Sequence, residues 1–387
     1  MTDTGSNVRL DRDGRWALEA WNPHGWTRSE IALTEVESPV PSGFEADRLE
    51  AYKRVLHEKI DAVESDGNIA YLDTNDGPLR ATTSGSNLVR PDSGRPIPAT
   101  VLSTFPSLHS KPSPKSRSER RVFWDGKTVV ARPVSATNRL VLHGYEDTYS
   151  GSLAASEAVN DYSIEKLPLS MNVTVVPLLT GEGCPVIPVF ERTAVVASYP
   201  KHHMTVAGGL DSLERHPVDE GWRELLEEIR IAPAEDRSAY ETRGLLSSAT
   251  ASTLRPGTVQ GQPMYTIARE TGQQVLYTSE APLVVIGVVR NLDNSRPELC
   301  GVLDTDVPAE LVEENRPRNI EHEGIEFVEF TATNLATFLT TRDEVPPVHR
   351  GAFVLAGEFA FGGFLDEFTT EVAPGAIAND IGEVLID

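Results

Sequence analysis

The chain has few cysteines, few lysines and no long apolar run. Its two cysteines, Cys184 and Cys300, are far apart among 387 residues, which excludes a cysteine-based zinc site and a paired redox motif. The simplest interpretation of such cysteine usage is a reduced, cytoplasmic setting. No run of about 18 apolar residues is present, and the polar residues 1–15 lack a signal-peptide pattern, so no membrane segment is predicted.

Positive charge is scarce. The chain has 58 acidic and 35 basic residues, and its formal net charge is −23. Only seven of the basic residues are lysine. A polyanion would be repelled by this acidic protein, so non-specific binding to nucleic acid or to an anionic membrane is not expected. The content of 39% hydrophobic and 24% charged residues is typical of a soluble globular protein, and the length favours two structural units.

The stretch from 207 to 231 carries the strongest chemical signal. Gly208 and Gly209 allow a sharp turn and a close approach of the backbone to a ligand. Pro217 suits the first turn of a following helix. On that helix three glutamates stand at i, i+3 and i+4, so that they share one face: Glu224, Glu227 and Glu228.

Three carboxylates so close together repel one another, and a hard divalent cation such as Mg²⁺ or Mn²⁺ relieves the repulsion. The alternative is a solvated acidic face on a surface helix. An apolar stripe of Val218, Leu225 and Ile229 lies on the other side of the helix. The pattern therefore predicts that the glutamates point outward.

This stretch resembles the Nudix box of the Nudix hydrolases, with Gly209 as its first position and Ile231 as its last. Arg223, Leu225 and the three glutamates occupy the positions that the box requires. Two positions depart from it. Arg215 stands where the box has its first glutamate, with Glu214 one residue early, and Arg230 stands where it has the glycine that ends the helix.

The resemblance implies an α/β fold, namely a Nudix-like α/β/α sandwich around a mixed sheet, with an N-terminal α+β extension. It also implies metal-dependent hydrolysis of a phosphoanhydride bond in a nucleoside diphosphate linked to another group. By resemblance, Glu224 and Glu228 are metal ligands and Glu227 is a further ligand or positions the attacking water. Arg223 is expected to hold the glutamates in place, and the backbone at Gly208 and Gly209 to contact the metal or phosphates.

Several alternatives stay open. The site usually takes a further carboxylate from a loop, and the sequence does not choose among Glu280, Glu298, Asp304, Glu326 and Glu329. Arg215 and Arg230 favour a catalytically degenerate domain that binds a nucleotide as a sensor or regulator. A third alternative is a scaffold whose N-terminal half provides the contacts. A homodimer is an expectation by analogy with the family.

Composition and periodicity, together with the resemblance, divide the chain into four parts. Residues 1–120 are predicted to be an N-terminal α+β region with a Ser/Pro-rich linker or long surface loop at about 81–120. Residues 121–164 are predicted to form a hairpin, with its turn at Asp125-Gly126, and a connecting segment. The Nudix-like domain is expected over 165–365 and a tail over 366–387.

Particular elements are also predicted. Ser42 to about Val63 has the capping and periodicity of a helix, and 283–289 has the pattern of a buried strand. Residues 245–280 are polar and poorly periodic, and are predicted to be a surface insertion. Trp16, Trp21 and Trp26 are interpreted as core or interface anchors, with a base-stacking platform as the alternative.

Overall fold

The computed structural model describes most of the chain. The described residues are 8–37, 44–65, 67–106, 108–112, 120–123, 127–136, 138–148, 152, 170–192, 199, 201–234, 237–269, 272–294, 296–315 and 322–372. The predicted helix cap at Ser42, the turn at Asp125-Gly126 and most of the segment 149–169 lie outside these residues.

Within this part of the chain there are nine α-helices and a 3-10 turn at Arg28–Glu30. The helices are α1 (Phe44–Ser65), α2 (Ala99–Leu102), α3 (Pro217–Ile229), α4 (Arg237–Thr242), α5 (Ser248–Ser252), α6 (Ala309–Asn315), α7 (Ala332–Thr341), α8 (Pro347–Phe361) and α9 (Phe364–Phe368).

In the part of the chain that the structure describes, the strands form four sheets. They are β1 (Val8–Asp11), β2 (Trp16–Trp26), β3 (Ile31–Glu35), β4 (Asn68–Thr74), β5 (Gly77–Ser84), β6 (Asn87–Val89), β7 (Leu108–Pro112), β8 (Arg120–Phe123), β9 (Lys127–Ala136), β10 (Leu140–Thr148), β11 (Asn172–Thr180), β12 (Pro185–Arg192), β13 (His203–Met204), β14 (Val206–Gly209), β15 (Ile231–Pro233), β16 (Leu254–Val259), β17 (Gln262–Arg269), β18 (Gly272–Ser279), β19 (Val284–Asn291), β20 (Pro297–Pro308), β21 (His322–Glu329) and β22 (Thr369–Val372).

The largest sheet has ten strands and is mixed. Its main path runs β13-β12-β11-β20-β19-β2-β1-β22, with β14 joined to β11 and β21 joined to β12. Strands β11 and β20 run parallel, whereas β19 pairs antiparallel with both β20 and β2. The N-terminal strands β1 and β2 thus belong to the same sheet as the strands from the second half of the chain.

Helices cover both faces of β11. Val173 and Val175 lie beside Gly221 of α3, where an added Cβ would meet their methyl groups at 3.3 and 3.2 Å. Val176 and Leu178 belong instead to the core cluster that contains the buried residues of α7 and α8. Because side chains alternate along a strand, α3 and α8 pack on opposite sides of this strand.

Strands β11 and β12 separate soon after the turn that joins them. They pair at Leu179–Val186 and Thr180–Pro185. Further along, β11 pairs with β14 and β12 pairs with β21 and β13. The region where the two strands part, here called the strand split, brings β12, β14, β21 and α3 together.

The stretch 81–112 is not the linker or long loop that its composition indicates. It contributes β5, β6, α2 and β7, and it packs on α1. Ala81, Leu88, Ile97, Leu102 and Leu108 are buried there against Tyr52 and its neighbours. These apolar residues are spaced irregularly among Ser, Pro and Gly, which explains why no periodic pattern marks them.

Two other local predictions are wrong. The strands on either side of Asp125-Gly126 belong to different sheets: β8 pairs with β7, and β9 pairs with β10. Residues 245–280 are not a loop, because they form α5 and three strands of the sheet β15-β18-β17-β16. Their Thr, Val, Tyr and Ile residues suit strands, and this preference outweighs the polar composition.

Other predicted elements are confirmed, including α1, the helix that begins at Pro217 and the buried strand β19. Trp16 and Trp26 are fully buried core residues, and Trp21 packs partly buried against the same core as α8. The protein is therefore a mixed α/β protein with several sheets. The finer assignment to a Nudix sandwich and the domain boundaries stay predictions.

Two further findings bear on the expected setting of the chain. Both cysteines are free: Cys184 is partly buried and Cys300 is fully buried. No helix in the described ranges has both the length and the apolar character needed to span a membrane.

Candidate functional site

Helix α3 begins at a histidine cap. The Nδ1 atom of His216 accepts a hydrogen bond from the backbone N–H of Val218 at 3.2 Å, and Nε2 lies 3.2 Å from the carbonyl oxygen of Ile31. A neutral ring with its proton on Nε2 satisfies both contacts. Burial lowers the pKa of His216, which favours this neutral form.

The end of α3 is a left-handed turn made without glycine. Arg230 has φ 62° and ψ 34°, and its backbone N–H donates to the carbonyl oxygen of Leu225. A non-glycine residue in this conformation costs about 1–2 kcal/mol. The helix therefore ends as the box requires, although the glycine is missing.

The three glutamates do not share an outward face. Glu224 and Glu228 are each 6% exposed, whereas the Glu227 side chain is 57% exposed. The predicted outward orientation is wrong for the first two, because Glu224 lies against Gly208 of β14 and Glu228 lies against His322 of β21. On the apolar side of α3, Leu225 and Ile229 share one core with residues of the sheet that contains β15 to β18: Leu254, Ile267 and Leu276.

Glu224 fits against a glycine. A Cβ added to Gly208 would overlap its carboxyl group, whereas the nearest atom to a Cβ added to Gly209 is Asn172 Oδ1 at 3.5 Å. The two glycines therefore differ in purpose. Gly208 leaves room for a buried carboxylate, and Gly209 has room for a side chain.

Arg223 bridges the carboxylates of α3. Its Nε donates to Glu220 Oε1 at 2.6 Å and its Nη1 donates to Glu227 Oε1 at 2.7 Å, while Nη2 donates to Glu224. Such charge-assisted bonds fix the side chains that they join. Burial opposes the charge of Arg223, but the carboxylates of Glu224 and Glu220 raise its pKa above the ordinary value.

Glu220 is a member of this cluster that the sequence did not suggest. It is fully buried and also accepts from Arg215 Nη1 at 2.8 Å. Arg215 in turn donates to Asp211 at 2.9 Å. The arginine that departs from the box is thus part of the ion-pair network around α3. Arg215 is five residues from Glu220 and lies before the start of α3, so the helical period did not predict that the two side chains meet.

The charge on Glu224 is only partly balanced. Burial raises the pKa of its carboxyl group well above the usual range, and the negative charges of Glu228, Glu220 and Glu227 raise it further, against the effect of Arg223. The α3 glutamates are thus a concentration of negative charge in a region of low dielectric.

Glu228 meets a histidine from the far side of the strand split. Glu228 Oε1 and His322 Nε2 are 3.4 Å apart, and both side chains are almost fully buried. His322 is the first residue of β21, and its ring centroid lies 4.8 Å from that of Phe190. Sequence reasoning missed His322, because a single histidine beside a strand carries no signal of its own.

Of the five candidate downstream carboxylates, Glu298 is the buried one. Glu280 and Asp304 are exposed, Glu326 pairs with Arg342 at 3.0 Å, and Glu329 accepts from Asn334 at 2.6 Å. Glu298 accepts from Thr174 and, at 3.3 Å, from Asn172 Nδ2. Burial raises the pKa of Glu298.

The register of β11 separates Glu298 from α3. Asn172 and Thr174 alternate with Val173 and Val175, which face α3, so Glu298 lies on the opposite side of the strand. Among the described residues, no group of three or more His, Cys, Asp or Glu side chains has the arrangement of a metal site.

No known protein family matched the sequence, and no curated protein matched it. Several solved structures are similar. The NUDIX domain of Shewanella oneidensis NrtR, solved with ADP ribose, is 12% identical, with a TM-score of 0.27, over 52% of this chain and 96% of its own length. A C. elegans Ap4A hydrolase is 11% identical, with a TM-score of 0.26, over 50% of this chain and all of its own.

A NUDIX hydrolase from Alicyclobacillus acidocaldarius is 14% identical, with a TM-score of 0.28, over 48% of this chain and 90% of its own. Identities and TM-scores this low establish neither a family nor an activity for this chain.

Proposed function

We propose that the chain hydrolyses a phosphoanhydride bond in a nucleoside diphosphate linked to another group. The observation that carries the proposal is the buried carboxyl group of Glu224, which fits against Gly208 and has a raised pKa beside three other glutamates. Burial favours the neutral form of this carboxyl group, so its ionised form needs a positive partner, which Arg223 supplies in part.

The donor set fits a hard divalent cation. Carboxylate oxygens are the ligands that Mg²⁺ and Mn²⁺ prefer, and Glu224 and Glu228 would hold the ion, with Glu227 at the exposed side. When bound, such an ion neutralises phosphate oxygens and activates a water molecule.

The other residues position these groups. Arg223 holds Glu224 and Glu227 through two of its nitrogens, so that one guanidinium fixes both carboxylates relative to the helix. Glu227 is the exposed member of the three, which suits a role in positioning water. His322 contacts Glu228 and gives this carboxylate a fixed place at the strand split.

The test is phosphate release from a panel of substrates. NTPs, ADP-ribose, NAD, nucleotide sugars and dinucleoside polyphosphates are incubated with Mg²⁺ or Mn²⁺, at low and high salt, beside the variant Glu228→Gln. We expect the native protein to turn over a substrate only when the metal is present, and Glu228→Gln to show no turnover. Equal rates in the variant and the native protein would contradict the assignment of Glu228.

A second function has its own support. Arg223 pairs with three glutamates, Glu220, Glu224 and Glu227, and Arg215 pairs with the first of them. Carboxylates neutralised in this way are less available to a cation, which favours a domain that binds a nucleotide without cleaving it. Nucleotide binding by calorimetry, together with no turnover on the whole panel, would favour this alternative.

A further inference from the structure

Glu220 has both of its carboxylate oxygens bonded to arginines. Its Oε1 atom accepts from Arg223 Nε at 2.6 Å and also pairs with Arg223 Nη2, while its Oε2 atom accepts from Arg215 Nη1 at 2.8 Å. The residue is fully buried and stands in the first turn of α3. Because the protein occupies both oxygens and balances their charge, Glu220 is not suited to bind a cation itself.

The two glutamates on the other side of Arg223 are held differently. Arg223 donates to Oε1 of Glu224 from Nη2 and to Oε1 of Glu227 from Nη1. Within the part of the chain that the structure describes, the Oε2 atom of each of these two carboxylates takes part in no hydrogen bond or ion pair. Each proposed metal ligand thus keeps one oxygen for a cation.

The bond at Nε determines where the terminal nitrogens of Arg223 point. A guanidinium group is planar and its donors have a fixed geometry, so a partner at Nε sets the directions of Nη1 and Nη2. Glu220 and Arg223 are three positions apart on α3, and the bond closes within one helical turn. Without the Glu220 carboxylate, the guanidinium group would pair only with the proposed ligands, where it competes with a cation for their oxygens.

Arg215 balances the other oxygen of Glu220 and joins the preceding loop to the helix. Its Nη1 atom also donates to Asp211 Oδ1 at 2.9 Å, in the loop between β14 and α3. Its guanidinium group lies against Gly244, where an added Cβ would be 3.6 Å from Nε and 3.7 Å from Nη2. Acidic and basic side chains therefore alternate from Asp211 through Arg215 and Glu220 to Arg223.

We propose that Glu220 is a positioning residue for the cation site, that it acts through Arg223, and that Arg215 compensates its charge. This inference rests on the proposed function, because it concerns the carboxylates that would hold the cation. Position 215, where the box has a glutamate, carries the arginine that this arrangement needs, and the carboxylate comes from position 220 inside the helix. The departure from the box at 215 is then a compensated change that leaves the glutamates in place.

The test measures the binding of Mn²⁺ by calorimetry, with no substrate present. Glu220→Gln is expected to weaken binding by about 10-fold or more, as for other residues that orient metal ligands. The double variant Arg215→Gln/Glu220→Gln is expected to bind as weakly as the single one. Because it leaves no unbalanced arginine at position 215, it keeps the test valid if the single variant folds poorly.

The matched control is Asp219→Asn. It removes a buried carboxylate from the same turn of α3, but one that pairs with Arg28 and does not contact Arg223. Urea denaturation is expected to show a loss of stability for both Asp219→Asn and Glu220→Gln, whereas Asp219→Asn is expected to keep the native affinity for Mn²⁺. A merely structural role of Glu220 would give the two variants the same Mn²⁺ affinity.

Arg215→Glu tests the compensation directly, because it restores the glutamate of the box. The new carboxylate would meet the buried one of Glu220, so Mn²⁺ binding is expected to weaken, and tighter binding would overturn the proposal. Equal affinities of Glu220→Gln and Asp219→Asn would overturn it even if the native protein hydrolyses a substrate. Weaker Mn²⁺ binding by Glu220→Gln, with no turnover on the hydrolysis panel, would remove the proposed reaction and leave the positioning role.

Discussion

The carboxyl group of Glu224 occupies the space that a side chain at position 208 would fill. A helix residue and a strand residue that are 16 positions apart in the sequence are thus fitted to each other. The relationship explains why one glycine of the pair is required by packing. Its neighbour, Gly209, has no such constraint.

Gly208→Ala is therefore expected to displace the Glu224 side chain and to destabilise the protein by about 1–3 kcal/mol, as for other overpacked sites. Gly209→Ala is the control and is expected to change the free energy of unfolding by less than about 1 kcal/mol. Urea denaturation followed by circular dichroism measures both. Equal effects of the two substitutions would contradict the fit between Gly208 and Glu224.

A second prediction concerns the anchor of α3 to the N-terminal segment. Arg28 donates to both oxygens of Asp219, at 3.1 and 2.7 Å, and the Asp219 side chain is 3% exposed. Arg28→Ala leaves this buried carboxylate with Arg243, whose nearest nitrogen is 3.5 Å away. Since Arg28 is itself half exposed, the expected loss of stability is about 2 kcal/mol, below that of a fully buried pair.

The control for Arg28 is Arg139, which donates to the carbonyl oxygen of Ser29 at 3.2 Å and is exposed. Arg139→Ala removes the same charge beside the same short helix, and is expected to cost less than about 0.5 kcal/mol. Thermal and urea unfolding of both variants give the comparison. A larger loss for Arg139→Ala would show that net charge, not the contact with Asp219, determines the effect.

A third prediction concerns pH. Burial holds the pKa of His349 at about 3, below the value of about 6.5 expected in the unfolded chain. The unfolded state therefore binds the proton more readily, so the contribution of this residue is fully present above about pH 6.5 and is lost as the pH falls toward 3. The loss is on the order of 3–5 kcal/mol.

The variant His349→Gln has no imidazole to take up a proton, so it serves as the reference for the native protein. The difference in free energy of unfolding between the native protein and the variant is expected to be constant above about pH 7 and to change steadily as the pH falls from 6.5. Because both proteins share their carboxylates, the difference isolates His349. A difference that does not vary between pH 7 and pH 4 would contradict a buried neutral imidazole.

The sequence predicted the local features of the site well and its surroundings poorly. Pro217 and the 3.6-residue period located the start of α3, and the apolar run at 283–289 located β19. The burial of Glu224 was missed because it depends on the close approach of β14, with Gly208 at the contact, and the helical period alone does not show which strand packs there. His322 was missed because its contact with Glu228 joins residues 94 apart in the chain.

The last prediction concerns Arg230, which ends α3 with φ 62°. Glycine adopts this conformation without the steric penalty that a Cβ brings, so Arg230→Gly removes a strain of about 1 kcal/mol. The substitution also removes a weak bond from Arg230 Nη1 to the carbonyl oxygen of Leu226 at 3.5 Å. A net gain of about 0.5–1 kcal/mol is therefore expected in urea denaturation.

Arg230→Val tests the same argument in the opposite direction, because a β-branched residue is the least compatible with a left-handed backbone. It is expected to lower stability by more than about 1 kcal/mol relative to the native protein. If Arg230→Gly were instead as destabilising as Arg230→Val, the arginine side chain would contribute more to the fold than its backbone costs. The departure from the box at this position would then be a stabilising contact, and a glycine there would bring no advantage to this chain.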